Sequence, residues 1–222
     1  MKQKFTILFD LDGTLVDTAP DLMLAHNHVM KKFGYPTKST EDIRNLVGKG
    51  AGALIGRSIW GQAKKEFSKV LDAKIKDEMV KEFVNFYGKN IVNESTLVTG
   101  VKDFLIWCKE QNISMAVCTN KQEHLSNDLL KKIGIYDFFE YVAGSDTFDY
   151  CKPDPRHLTN VVEILDGDVK KTIMIGDSET DANAAKAAEI PVILLENGYT
   201  EKNTTEIYHN HLIKDFIGIE KI

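Results

Sequence analysis

A chain of 222 residues, 43% hydrophobic and 27% charged, has the make-up of an ordinary globular protein, long enough for one full α/β domain plus a smaller one; disordered and fibrous classes are excluded. Its formal charge of -5 argues against a nucleic-acid partner, because affinity for a phosphate backbone needs clustered Lys and Arg. No apolar run approaches the roughly 18 residues of a membrane span, so a membrane is not expected as a partner either.

Phe5, Ile7, Leu8 and Phe9 form a short apolar run of the kind covered on both faces in a parallel sheet, and Gly13 ends it. The run is too short and too soon acidic for a signal peptide, and a cytoplasmic protein is expected. Asp10 and Asp12 leave the carboxyl end of this strand together, where ligands sit in open α/β sheets.

From Thr18 to Ile91 the pattern is helical throughout, with no strand. Pro20 suits a first helical turn; Leu22, Ala25, Val29 and Phe33 recur at helical spacing until Gly34. Thr40, followed by Glu41 and Asp42, caps a second helix that Gly48-Lys49-Gly50 interrupts. Amphipathic stretches follow over Ala53 to Trp60, Gln62 to Leu71 and Asp77 to Tyr87. Strand and helix then alternate: strands are expected at Ile113 to Cys118, Tyr141 to Ala143, Thr172 to Gly176 and Val192 to Leu195, with helices between them and a weakly patterned tail after Tyr199. This order predicts a doubly wound parallel sheet of Rossmann-like type in residues 1–17 and 92–222, with residues 18–91 as a small inserted helical domain.

Three further polar segments follow predicted strands: Thr119-Asn120, Lys152-Pro153, and Gly176-Asp177 running on to Asp181. Polar groups at four strand ends converge on one crevice. Taken singly each has an ordinary structural explanation, Thr119 as a helix cap, Lys152 as a solvated charge, and Asp177 with Asp181 as an acidic turn and helix start. Asp10, Asp12, Asp177 and Asp181 brought together would repel one another unless positive charge were present. An all-oxygen set without paired His or Cys suits a hard divalent cation, Mg²⁺ in particular.

The segment from Asp10 to Thr18, with Thr119-Asn120, Lys152-Pro153 and Gly176 to Asp181 in that order, resembles the motifs of the haloacid dehalogenase superfamily of phosphohydrolases over nearly the full chain. The resemblance implies a core domain with an inserted helical cap domain, and hydrolysis of a small phosphate monoester through an aspartyl-phosphate. It makes Asp10 the nucleophile and Asp12 the general acid and base. Thr119 and Asn120 would bind phosphate, with Lys152 neutralising charge. Asp10, Asp177 and the backbone carbonyl of Asp12 would hold Mg²⁺, with Asp181 supporting it. Asp12 favours phosphate esters over dehalogenation, which needs no acid for an alkoxide.

Within the superfamily, Asp17 to Leu22 with Asn27, Arg44 to Gly50, and Gly198-Tyr199 look like phosphoglycolate phosphatases, although Thr99 and Glu189 depart from that pattern. On this resemblance Arg44, Gly48, Lys49 and Gly50 are expected to meet the substrate, with Arg44 facing the crevice opposite the phosphate. A phosphosugar mutase of the same fold and a non-catalytic phosphate-binding or signalling protein are the alternatives. A monomer or small homo-oligomer is expected. Cys108, Cys118 and Cys151 lack metal-binding spacing and read as reduced thiols, and His26, His28, His209 and His211 as structural or surface positions.

Overall fold

The computed structural model describes residues 4–60, 69–200 and 202–221. In chain order they form β1 (Thr6–Phe9), β2 (Val16–Asp17), α1 (Ala19–Phe33), α2 (Thr40–Arg44), α3 (Ala51–Trp60), α4 (Lys69–Lys89) and β3 (Thr96–Leu97). There follow α5 (Val101–Glu110), β4 (Ser114–Cys118), α6 (Glu123–Ile133), β5 (Tyr141–Ala143), α7 (Arg156–Ile164), β6 (Thr172–Gly176), α8 (Glu179–Ala187), β7 (Val192–Leu195) and β8 (His211–Ile213). The expected helix over Gln62 to Leu71 lies outside the described residues up to position 68; residues 69–71 belong to α4.

The apolar run at β1 is the centre of a six-stranded parallel sheet in the order β5-β4-β1-β6-β7-β8. Side chains alternate across it: Ile7 and Phe9 enter one apolar layer, Leu8 the other. Phe104, Phe139 and Phe216 crowd the ring of Phe9 on the first face. The second face packs Leu8, Ala116, Cys118 and Met174 of the sheet with Leu158 and Val161 of α7 and Ala182 and Ala185 of α8. Phe9 pairs with Val117 on one side and Ile175 on the other, so β4, β1 and β6 end level with one another. The chain moves outward from β1 on both sides, which leaves the crevice of a doubly wound sheet at its carboxyl end.

Two features lie beyond the predicted elements. The tail adds β8, and β2 pairs antiparallel with β3 where the chain leaves for the helical segment and returns from it. Asp21, 1% exposed in α1, fastens that crossing by accepting the backbone N–H groups of Asn93, Glu94 and Ser95 and the Ser95 hydroxyl. The first helix begins at Ala19 with Pro20 in its opening turn and stops at Gly34, whose φ of 76° is left-handed, as the sequence predicts. The second is capped one residue earlier than expected: Ser39, not Thr40, accepts from the Asp42 N–H, and Asp42 returns the bond to Ser39.

Asp21→Ala would leave buried donors at Ser95 unsatisfied. A loss of about 1–3 kcal/mol in unfolding free energy is expected by urea denaturation, with Asp21→Asn losing less.

Candidate active site

The level register of β4, β1 and β6 sets the site, because the residues that follow them emerge side by side. Asp10 follows β1 and donates its N–H to the Ile175 carbonyl at 2.9 Å; Thr119 follows β4 and donates to the Ala143 carbonyl at 2.9 Å; Asp177 follows β6. Lys152 reaches in from the loop after β5. All four are nearly buried.

Each carboxylate is held by its own set of donors. Asp10 Oδ1 accepts the Leu11 N–H at 2.7 Å and lies 3.0 Å from Lys152 Nζ; among the described residues Asp10 Oδ2 accepts no bond. Asp181 is fully engaged, with Lys152 Nζ at 2.6 Å on Oδ1 and the Ser178 hydroxyl and the N–H groups of Asp177 and Ser178 on Oδ2. These bonds also cap α8, so one carboxylate both starts the helix and orients the lysine. Asp177 accepts the Tyr199 N–H at 2.6 Å and the Thr14 hydroxyl at 3.2 Å. Asp12 accepts the Thr18 hydroxyl at 2.7 Å and takes Lys121 Nζ on both oxygens at 2.7 Å.

Gly13 makes this packing possible. Its φ is +83°, and a Cβ there would stand 2.2 Å from Asp177 Oδ2. A glycine between Asp12 and Thr14 is thus required both by the turn and by the approach of the neighbouring strand's carboxylate.

Charge at the site does not balance. Four carboxylates meet two ammonium groups: Lys152 serves Asp10 and Asp181, Lys121 serves Asp12, and Asp177 has no ion pair among the described residues. Burial, with the charge of Asp181 added, pushes Asp10 up to about 6 against the pull of Lys152. Burial and the charges of Asp181 and Asp10 hold Asp177 well above the carboxylate range. Burial pulls Lys152 down, but Asp10 and Asp181 outweigh it and keep the ammonium above its ordinary value. Carboxylate oxygens of Asp10, Asp177 and Asp181 lie within 4.8 Å of one another. Three buried oxygen ligands, one of them without a cation, fit a hard divalent ion and no soft one.

A cavity of about 270 Å³ opens at Asp10 and Asp12, with Lys152, Asp177 and Asp181 outside its lining; the strand-end loops wall it on one side and α1, α3, α4 and the Gly48 to Gly50 loop on the other. Asp10, Asp12, Thr119, Asn120, Gly48, Lys49 and Gly50 line it. Asn120 ties the two sides together, donating from Nδ2 to the carbonyls of Gly48 at 3.1 Å and Lys152 at 2.9 Å. Arg44 does not line it. The guanidinium lies 2.7 Å from Asp17 Oδ2 and 5.4 Å from the centre of the Tyr199 ring, so α2 turns it toward the outgoing strand β2 and not into the crevice. Lys121, Tyr87 and Tyr199 carry contacts that the sequence reading missed. Lys121 directly follows Thr119-Asn120 at the same strand end, which was the one available signal. Cys108 and Cys118 are core thiols, which burial pushes up to about 12.

Among the described residues no helix is long and apolar enough to cross a membrane. Residues 7–195 match the family model described as haloacid dehalogenase-like hydrolase. A phosphoglycolate phosphatase of Mesorhizobium japonicum is 37% identical over 95% of this chain and 90% of its own. One from Caulobacter vibrioides is 38% identical over 97% and 89%. The crystal structure of a predicted phosphoglycolate phosphatase from Haemophilus somnus superimposes with a TM-score of 0.90 at 31% identity, covering 100% of this chain and 98% of that one.

The raised Asp10 carboxyl has a thermodynamic consequence. A carboxyl whose pKa rises on folding destabilises the fold when ionised, so its penalty is absent below 3.8 and complete above about 6. Metal-free Asp10→Asn is therefore expected to melt higher than the parent protein at about pH 7.5, the advantage vanishing as pH falls to about 4. Thermal melts in the presence of chelator measure both.

Proposed function

The chain belongs to the haloacid dehalogenase-like hydrolases, and on that premise we propose that it is a Mg²⁺-dependent phosphatase of small phosphate monoesters, 2-phosphoglycolate foremost, acting through an aspartyl-phosphate on Asp10. The observation that carries this reading is the divided pair at the end of β1. Asp10 lines the cavity and is held through Oδ1 by Leu11 and Lys152, which leaves Oδ2 without a bond among the described residues, and Asp12, two residues on, is held by Thr18 and Lys121. This separation supports giving attack to one carboxylate and proton transfer to the other.

In the first step Asp10 Oδ2 attacks phosphorus as the bond to the leaving oxygen breaks, and Asp12 gives that oxygen a proton. In the second, Asp12 takes a proton from water, whose oxygen attacks phosphorus; the bond to Asp10 breaks and inorganic phosphate is released. Lys152 fixes Asp10 and offsets charge on the phosphoryl oxygens, while the Thr119 hydroxyl and strand-end N–H groups bind them. Asp10, Asp177 and the Asp12 carbonyl would hold Mg²⁺, with Asp181 supporting them through Lys152. The bound ion supplies positive charge against the phosphoryl oxygens and the excess carboxylates. Residues 18–91 serve as the cap, closing the leaving-group side and excluding water.

Asp10→Asn should lower turnover on the order of 10³-fold or more while the fold survives. Phosphate release with 2-phosphoglycolate and Mg²⁺ checks it, and a variant within tenfold of the parent would remove Asp10 from the nucleophile's role. Exhaustive chelation should abolish activity and Mg²⁺ restore it, with Ca²⁺ supporting much less. A mutase would instead return phosphate to a second hydroxyl, so free phosphate from the first turnover onward separates the two.

Asp12→Asn should cost roughly 10² to 10⁴ with alkyl phosphates and less with aryl phosphates, whose leaving groups need little protonation. Rapid-quench measurement of phosphoenzyme formation compares them; equal losses would count against Asp12 as the acid.

A further inference from the structure

Two side chains that line the cavity beside Asp12 have hydrogen-bonding capacity that the reaction as drawn leaves unused. Tyr87 of α4 is 1% exposed and lines the cavity, yet its hydroxyl has no hydrogen-bond partner among the described residues. Lys121 also lines the cavity, with its ammonium 4.6 Å from the centre of the Tyr87 ring. A lysine has three N–H donors, and the two oxygens of Asp12 engage at most two of them. Around this pair the wall is apolar, formed by Leu22, Val47, Leu54, Val80 and Phe83. A buried hydroxyl without a partner, on a residue that lines the cavity beside an ammonium with a donor to spare, is the imprint of an anionic or strongly accepting group.

We infer that Lys121 and Tyr87 form the leaving-group subsite, and that it takes the carboxylate of a phosphate ester of a short 2-hydroxy acid. The inference rests on the phosphatase reading of Asp10 and Asp12. If Asp12 protonates the leaving oxygen, that oxygen lies within hydrogen-bond reach of Asp12 and hence next to Lys121, whose Nζ is 2.7 Å from both Asp12 oxygens. A carboxylate separated from that oxygen by one carbon meets the same ammonium, and the Tyr87 hydroxyl donates a second bond to it. A carboxylate one carbon further out has to fold back against apolar wall. The other cations are less suited. Lys152 belongs to Asp10 and Asp181 on the phosphate side, Arg44 is committed to Asp17, and Lys49 is an exposed loop residue outside the Asp12 contacts.

The test uses three esters with Mg²⁺: 2-phosphoglycolate, its one-carbon-longer homologue 3-phosphonooxypropionate, and ethyl phosphate. Lys121→Met should lose kcat/KM for 2-phosphoglycolate by a further 10 to 100-fold, approximately, beyond its loss on ethyl phosphate, and Tyr87→Phe by a further 3 to 10-fold or so. The longer ester should lie nearer ethyl phosphate in every variant, and Lys49→Met should change all three alike. Binding is read without turnover from inhibition by the non-hydrolysable 3-phosphonopropionate against propylphosphonate; Lys121→Met should weaken only the carboxylated inhibitor. An unchanged inhibition ratio together with equal losses on 2-phosphoglycolate and ethyl phosphate would reduce Lys121 to a support for Asp12 and overturn the inference. A selective loss in Lys49→Met alone would move the carboxylate to the glycine loop and overturn it too. If Lys121→Met fails to fold, Tyr87→Phe decides by the same ratios, since it leaves the Lys121–Asp12 pair intact. A parent protein that releases phosphate from none of the esters would defeat the phosphatase reading itself, a result distinct from loss of selectivity.

Discussion

Four carboxylates gathered at the carboxyl ends of parallel strands, with two ammonium groups to meet them, form the constraint on which the arrangement of this molecule depends. Burial makes each uncompensated charge expensive, so the surrounding structure is largely a means of supplying donors. Ser178 and the turn before α8 serve Asp181, Thr14 and the Tyr199 N–H serve Asp177, Leu11 serves Asp10, and Thr18 serves Asp12. The charge left over, centred on Asp177, is what gives the site its demand for a cation. The same demand gives Lys152 its place: its ammonium is kept charged in a buried position because two carboxylates flank it.

The helical segment is joined to this centre by groups that also belong to it. Tyr199 donates its N–H to Asp177, while its hydroxyl accepts the Ala19 N–H at the start of α1 and donates to Asp17. Asp17 in turn holds Arg44 of α2, an arrangement that keeps its carboxylate below the usual range: burial pushes it up, but the bonds from Arg44 and Tyr199 outweigh that. Asn120 reaches from the end of β4 to the Gly48 carbonyl. Closure of the cavity is therefore coupled to the acidic centre through side chains of a few residues. A change at Arg44 would be felt at Asp17 and Tyr199 before it was felt by any ligand.

Much of this was legible in the sequence because it is encoded in local pattern. The strand at Thr6 to Phe9, those at Tyr141 to Ala143, Thr172 to Gly176 and Val192 to Leu195, and the helix ended by Gly34 all follow from periodicity and punctuation over a few residues, although Phe5, expected to be covered with its neighbours, lies before β1 and is 62% exposed. The features missed depend on partners distant in the chain. The two-residue strands β2 and β3 carry no periodicity and exist because Val16 meets Leu97. β8 is three residues long with an exposed start, and its pairing with β7 defines it. Arg44 was expected at the crevice from its spacing to the glycine loop. Helical spacing could not reveal Asp17, 27 residues away, as the nearer attraction. Lys121 was passed over because a lysine after a strand reads as a solvated charge unless its carboxylate, 109 residues earlier, is known to be opposite.

The two lysines make the site asymmetric in a way that composition alone could not express. Both are buried and both pair with aspartates, yet with different ones: Lys152 with Asp10 and Asp181, Lys121 with Asp12. In the proposed reaction Lys152, between Asp10 and Asp181, acts on the phosphoryl group, which every phosphate ester presents alike. In the same proposal Lys121, between Asp12 and the Tyr87 ring, acts on the leaving group, and there substrates differ. Interactions with the constant part of a substrate set the rate of the chemistry, whereas interactions with the variable part set which substrate receives it. Tyr87 and the apolar wall come from the helical segment, and Asp12 and Lys121 from the strand ends. On the proposed reading, selectivity is thus assembled from both parts of the chain, whereas the carboxylates proposed to react need only the strand ends of the sheet.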